Sequence, residues 1–195
     1  MTNSSFANRG QDFETFIRFA NDRYRMKKLA VISKQSTEFI PLRDRRGKIC
    51  GAKVEVKATV DFLGRYRHYP IAIEAKKTST DSIRWDAVQP HQADFMDAFT
   101  SQPGTIGMVV VSFGMKRFFA IPWVFWQQAY NARVRTGRTR TTHVEVKAFG
   151  ETWTIPNKFS VRMDEIPASF EIPDYDPKYG LHYLMKAEQY IMKEK

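Results

Sequence analysis

Two short segments constrain this chain more than any others: Val60-Asp61-Phe62 and Ile71-Ala72-Ile73-Glu74-Ala75-Lys76. Side chains two apart on a strand share a face, so Glu74 and Lys76 point the same way. Ile71 and Ile73 alternate with the small Ala72 and Ala75, a pattern that covers both faces of the strand. With a tight turn centred near Arg67 and His68, the strand over Thr59 to Leu63 pairs with Tyr69 to Ala75, and Asp61 comes opposite Glu74. Facing residues of antiparallel strands lie roughly 4.5–5.5 Å apart at Cβ, and two carboxylates there repel. A divalent cation offsets that repulsion. Mg2+ takes hard oxygen ligands, usually one or two carboxylates with water and phosphate. A bound metal polarises phosphoryl oxygens and lowers the pKa of its water, and Lys76 stands ready to stabilise charge on the attacking oxygen or the phosphate. Those are the needs of phosphodiester hydrolysis. The same three residues also suit a solvent-exposed strand face with an ordinary ion pair; the covered character of the strand argues for the site.

Around this pair the chain reads as alternating helices and strands. Residues 1–9 are rich in Ser and Asn and are expected to be flexible. A helix is predicted from Gln11 to Lys28, with Phe13, Phe16, Ile17, Ala20 and Tyr24 on one apolar face. Leu29 to Ser33 is a buried strand. Residues 41–57 are basic, open with Pro41 and contain Gly47 and Gly51, which predicts a projecting hairpin or arm. Pro90 opens a helix that runs to Gln102. Ile106 to Phe113 is the most apolar strand and the expected centre of the sheet, followed by a strand over Arg117 to Ile121 and an aromatic helix from Pro122. Val144 to Val146 and Thr152 to Ile155 are candidates for a short pair. Residues 164–180 read as a surface wrap and 178–195 as a terminal helix. No linker divides the 195 residues, so one domain is expected, with 164–195 as a C-terminal extension. Helix, strand, strand, strand, helix, strand in that order gives an α/β fold with one sheet flanked by helices.

Charge supports a polyanionic partner. Lys and Arg number 31 against 21 Asp and Glu, a formal net charge of +10. No apolar run spans a bilayer, and the first twenty residues carry no secretory pattern. The single Cys50 forms no disulfide within the chain. A cytoplasmic protein without membrane association is expected. The four histidines show no metal-ligand spacing.

The motif Asp61 … Glu74-Ala75-Lys76 resembles the signature of the PD-(D/E)xK nucleases, with Val60 where that pattern has proline. The closer resemblance is to the RecU-type Holliday junction resolvases of Gram-positive bacteria and their phages. It is carried by Asn8-Arg9-Gly10, Glu14, Ala30-Val31-Ile32 with Lys34, Asp61, Gly64, Tyr66, Glu74-Ala75-Lys76 with Thr78, and His91-Gln92 with Met96. It covers about residues 8–125. The resemblance implies a restriction-endonuclease-like fold, a mixed central sheet flanked by helices, with the basic arm 41–57 as the stalk that enters the junction. It implies Asp61, Glu74 and the Ala75 carbonyl as metal ligands, with Mg2+ or Mn2+ as the metal. Lys76 assists the nucleophilic water, Glu14 completes the acidic cluster and Gln92 orients groups from the second helix. It also implies a homodimer that cuts two opposed strands of a four-way junction.

Candidate DNA contacts are Arg9, Lys34 and Lys77 near this centre, Arg43, Arg45, Arg46, Lys48 and Lys53 on the arm, and Arg135 and Arg138 in the basic stretch 133–142. Such residues bind phosphates without reading sequence, and a solvated basic surface would look the same. Likewise Glu14 suits the start of any helix, and Trp123 with Trp126 reads as core. Two alternatives stay open: a nuclease of the same superfamily acting on other duplex or branched DNA, and a non-catalytic DNA-binding recombination accessory protein.

Overall fold

The computed structural model describes residues 4–56, 58–135, 142–173 and 176–193. Helix α1 (Ser4–Met26) leads into strand β1 (Ala30–Lys34), and β2 (Glu38–Arg43) with β3 (Ile49–Val56) forms a hairpin. Strands β4 (Phe62–Tyr66) and β5 (Tyr69–Thr78) follow, then the short β6 (Ser82–Arg84) and helix α2 (Pro90–Thr100). Next come β7 (Ile106–Phe113), β8 (Arg117–Pro122), α3 (Trp123–Tyr130) and a π-helical turn at Asn131–Arg135. The chain closes with β9 (His143–Ala148), β10 (Glu151–Pro156), β11 (Ser160–Arg162), β12 (Glu171–Ile172) and α4 (Leu184–Lys193).

The main sheet has the order β1-β4-β5-β7-β8-β12. Its one parallel pairing is β5 with β7, and the rest are antiparallel. A parallel step needs a crossover, and α2 provides it. The two strands at that step are the most apolar because neighbours and helices enclose them on all sides: Val109, Val110 and Val111 of β7 and Ile71, Ala72 and Ile73 of β5 are all fully buried. The expected mixed sheet flanked by helices, the arm and the β9–β10 pair are all present.

Six features differ from the sequence expectations. The strand expected to be buried over Leu29 to Ser33 is the edge strand β1, with Val31 60% exposed, because only one of its sides has a neighbour. The terminal helix expected over 178–195 begins at Leu184. Residues 4–9, expected to be flexible, lie in α1; extending an existing helix costs little compared with starting one. Phe16 is 51% exposed, because the buried stripe of α1 is Phe13, Ile17, Ala20 and Tyr24, and Phe16 falls beside it. Asp61 lies one residue before β4 and not inside a strand. The stretch 164–180 is more than a wrap: β12 extends the sheet beside β8, Ile166, Phe170 and Ile172 are buried in the core, and Leu181, Tyr183, Leu184, Ala187 and Tyr190 beyond it join them. Pro167 and Pro173 bracket that two-residue strand, which is why it reads as loop from sequence. No described helix is long and apolar enough to cross a membrane.

Candidate active site

The β4–β5 hairpin turns at Arg67 and His68, with Tyr66 facing Tyr69 and Phe62 facing Ile73. Arg67 adopts a left-handed φ of 53°, as a two-residue turn demands. Counting outward, Asp61 comes opposite Glu74. Because β4 begins only at Phe62, the β5 amide beyond that pairing lacks a ladder partner from it. The Ala75 N–H instead donates to Asp61 Oδ2 at 2.8 Å, while the Asp61 carbonyl accepts from Gln35 N at 2.8 Å. Asp61 is thus fixed at both its main chain and its carboxylate.

Glu74 is 0% exposed. Lys76 Nζ lies 2.5 Å from its Oε1, yet neither Glu74 oxygen has a hydrogen bond of good geometry. The distance makes this an ion contact; its angle is too poor to satisfy the buried oxygens. Lys76 Nζ instead donates to Gln92 Oε1 at 3.2 Å. Gln92 is held in turn at the start of α2, where Pro90 occupies the first turn and the same Oε1 accepts from Gln89 N at 2.9 Å. The Gln92 N–H donates in turn to the Gln89 side chain, a reciprocal cap.

Burial and the neighbouring Asp61 push the Glu74 carboxyl up to about 7. Asp61 is also raised, chiefly by burial, against the opposing pull of the Ala75 N–H and Lys76. A fully buried acid with unsatisfied oxygens facing a second, half-buried one is costly to keep ionised. That is the electrostatic condition a divalent cation relieves.

Glu14 is close enough to Asp61 to raise its pKa, but its carboxylate contacts Lys34 Nζ. Among the described residues no three His, Cys, Asp or Glu side chains form a group able to hold a metal. A metal here would rest on two carboxylates with main-chain and non-protein oxygens.

The candidate DNA contacts divide. Arg43, Arg45, Arg46, Lys48 and Lys53 are all exposed on the β2–β3 arm. Asp44 pins the arm's tip by accepting from Arg46 N and Lys48 N at 2.8 and 3.0 Å, and Arg43 donates to Gly47 O at 2.9 Å. Lys77 is half-buried beside the site. Lys34 and Arg135 are paired with acids: Arg135 reaches Asp97 and Asp94, each at 2.7 Å. Arg138 lies outside the described residues, and Arg9 is placed only by its backbone in α1. Sequence reasoning missed Gln89 and the role of Asp97, which also accepts from Trp123 Nε1 and Gln127 Nε2. Trp123 and Trp126 are core, 1% and 0% exposed. A cavity of about 410 Å³ lined by Gly107, Trp123, Phe149 and Tyr190 opens at the start of β7, away from Asp61 and Glu74.

The family model described as Recombination protein U matches residues 8–168. The chain belongs to the RecU family. It is 37% identical over 106 residues to the Holliday junction resolvase RecU of Streptococcus pneumoniae (strain Taiwan19F-14), covering 51% of this chain and 54% of that protein. It is 36% identical over 107 residues to the RecU of serotype 19F (strain G54), with the same coverage. The chain therefore aligns with about half the length of the RecU relatives it matches. Among solved structures it is similar to Hjc, a Holliday junction resolvase of Archaeoglobus fulgidus, with a TM-score of 0.38, 12% identity, and 59% and 73% of the two chains covered. The RecU match ends at residue 168, so β12 and α4, which complete the core here, lie beyond it.

Proposed function

We propose that this chain is a metal-dependent endodeoxyribonuclease that resolves four-way DNA junctions. The observation that carries the reading is the facing of half-buried Asp61 and fully buried Glu74, with unsatisfied Glu74 oxygens and the Lys76 ammonium beside them. RecU membership and the resolvases among its relatives support the junction as substrate.

Asp61, Glu74 and the Ala75 carbonyl would hold the metal, Mg2+ being the first candidate and Mn2+ the second. When bound, such an ion polarises the phosphate and lowers the pKa of a water. The protein's own part is positioning. The Ala75 N–H fixes the Asp61 carboxylate, and burial keeps bulk water from screening Glu74. Gln92 holds the Lys76 ammonium where it can stabilise negative charge on the water oxygen or the phosphate during attack. Hydrolysis adds that water across one P–O bond and leaves a phosphate end and a hydroxyl end. Glu14 acts at the rim through its charge on Asp61.

We read residues 1–195 as a single nuclease domain. Two copies would cut two opposed strands symmetrically, as the two-fold symmetry of a junction requires. The exposed arm would enter the branch point, its cations meeting phosphates. Cleavage of an end-labelled four-way junction, beside linear duplex of the same sequence and with and without Mg2+, tests the proposal. Paired symmetric nicks on the junction alone support it; equal cutting of both substrates removes the junction claim, and binding without cutting removes the nuclease claim.

A further inference from the structure

Phe159 lies in the bend before β11 and is 51% exposed. The Arg133 guanidinium stacks over its ring at 3.9 Å from the centroid, and Arg84 approaches the same ring at 5.9 Å. These three side chains come from separate parts of the chain: the π-helical turn after α3, the strand after β5, and the bend before β11.

The frame beneath them is rigid. β6 pairs with β11, Ser160 facing Arg84. The Phe159 carbonyl accepts from Trp85 N at 3.0 Å, and Trp85 Nε1 donates to Lys158 O at 3.1 Å. Trp85 is itself packed edge-on against Trp126. An exposed phenyl ring mounted on two buried tryptophans has no packing reason to face solvent.

The two arginines differ in charge state of their surroundings. Arg84 is neutralised by a two-pronged contact with Asp86 at 2.8 and 2.6 Å. Arg133 makes no ion pair among the described residues, and its Nε is buried without a hydrogen-bond partner. An unneutralised guanidinium against a half-open aromatic ring offers a cation and a π-face side by side. A nucleotide has the complementary pair, an anionic phosphate and a flat base.

Position relates this platform to the catalytic centre. β5 carries Glu74 and Lys76, and Thr78 at its end donates to Ser82 O at 3.1 Å, at the start of β6. Asp86, which holds Arg84, is bonded through its carbonyl to the Gln89 side chain, and Gln89 caps the helix that positions Gln92. The platform thus continues from the end of the sheet where the carboxylates lie.

We propose that Phe159 and Arg133 form a stacking site for one nucleotide that comes unpaired at the branch point of the DNA substrate, its base on the open part of the ring and its phosphate on Arg133. This rests on the reading of the chain as a DNA-processing enzyme. Fully paired duplex keeps its bases stacked internally and gains nothing from the ring, so the site favours DNA with an unpaired base near the cut.

The test is fluorescence anisotropy of the full chain in EDTA, so that nothing is cut, with a duplex carrying one unpaired 2-aminopurine and a fully paired duplex of equal length. The wild type should bind the bulged DNA about tenfold more tightly, with quenching of the 2-aminopurine as it stacks. Phe159→Ala should abolish the preference and the quenching but keep duplex affinity, and Phe159→Trp should retain both. Arg133→Gln should weaken the bulged DNA selectively. Thermal melting of each variant confirms the fold, and the exposed ring makes Phe159→Ala mild in that respect. Equal binding of the two DNAs by the wild type, or a Phe159→Ala variant that keeps preference and quenching, overturns the stacking site and leaves the nuclease reading standing. Failure of the wild type to bind either duplex overturns the stacking site; failure to bind a four-way junction as well overturns the nuclease reading.

Discussion

Gln92 Oε1 accepts from Lys76 Nζ at 3.2 Å and from Gln89 N at 2.9 Å, so one side-chain oxygen both caps α2 and steers the proposed catalytic lysine. Gln92→Ala removes both bonds. The cap loss should lower stability by about 1 kcal/mol. Lys76 then leans on Glu74 alone, and kcat should fall about tenfold or more while junction affinity stays within about twofold. Single-turnover cleavage and a binding titration in EDTA separate these effects; loss of binding with unchanged kcat would contradict the positioning role.

Asp61→Asn keeps an oxygen for the Ala75 N–H but removes a charge the metal would need. Cleavage should drop at least about a hundredfold with DNA binding spared. Persistent Mg2+-dependent cutting by this variant would sink the site assignment.

Glu74→Gln trades function for stability. Its buried oxygens lack hydrogen bonds and face Asp61, and a neutral isostere removes that like-charge cost. The metal-free variant should melt roughly 2–4 °C higher at pH 8, about 1 kcal/mol for a chain of this size, and should be inactive. Adding Mg2+ should raise the melting temperature of the wild type and leave the variant's unchanged. A variant less stable than the wild type without metal would mean the acid pair is structural.

The facing of Asp61 and Glu74 was legible in the sequence because a two-residue turn at Arg67 and His68 fixes register by counting. The central strand was legible because enclosure on every side leaves an unbroken apolar run over 108–111. Other features depend on residues distant in the chain. Arg135 reads as a free cation until α2 presents Asp94 and Asp97 to it. Lys34 reads the same way until α1 presents Glu14. Phe16 belongs to a helical apolar face by spacing, and only the tilt of α1 on the sheet shows that Phe13 and Ile17 take the buried side. In the C-terminal region, Tyr183, Leu184, Ala187 and Tyr190 did carry a three-and-four spacing that could have marked α4 as core.

The arm predicts a salt response. Arg45, Arg46, Lys48 and Lys53 are exposed and none pairs with an acid among the described residues. Each phosphate contact contributes roughly 0.9 to the slope of log affinity against log salt on B-form DNA. Replacing all four with Gln should reduce the slope by up to about 3 to 4 units. Glycine at 47, with φ +75°, and Asp44 stay in place, so the hairpin persists. An unchanged slope would place the arm away from DNA.

The last prediction concerns pH and the C-terminal segment that packs on α1. His182 Nδ1 lies 3.0 Å from Tyr24 Oη, and the ring lies tilted against those of Tyr24 and Tyr179. Burial lowers its pKa below the ordinary 6.5; Asp176 and Glu188 oppose that shift and Lys178 adds to it. The neutral ring is therefore the form that folding favours. Its contribution is complete above the unfolded pKa and is lost as pH falls from there through the lowered folded value. Glu74 has the opposite sign: its raised pKa contributes below the unfolded carboxyl value, and that contribution is lost as pH rises through about 7. The His182 effect is thus read as a difference between wild type and His182→Gln. Between pH 6.5 and 5 the wild type should lose a few degrees of melting temperature more than the variant, and the two curves should run parallel above pH 7. Parallel curves across the whole range would mean that His182 keeps its ordinary pKa in the fold and that the contact with Tyr24 is indifferent to its charge.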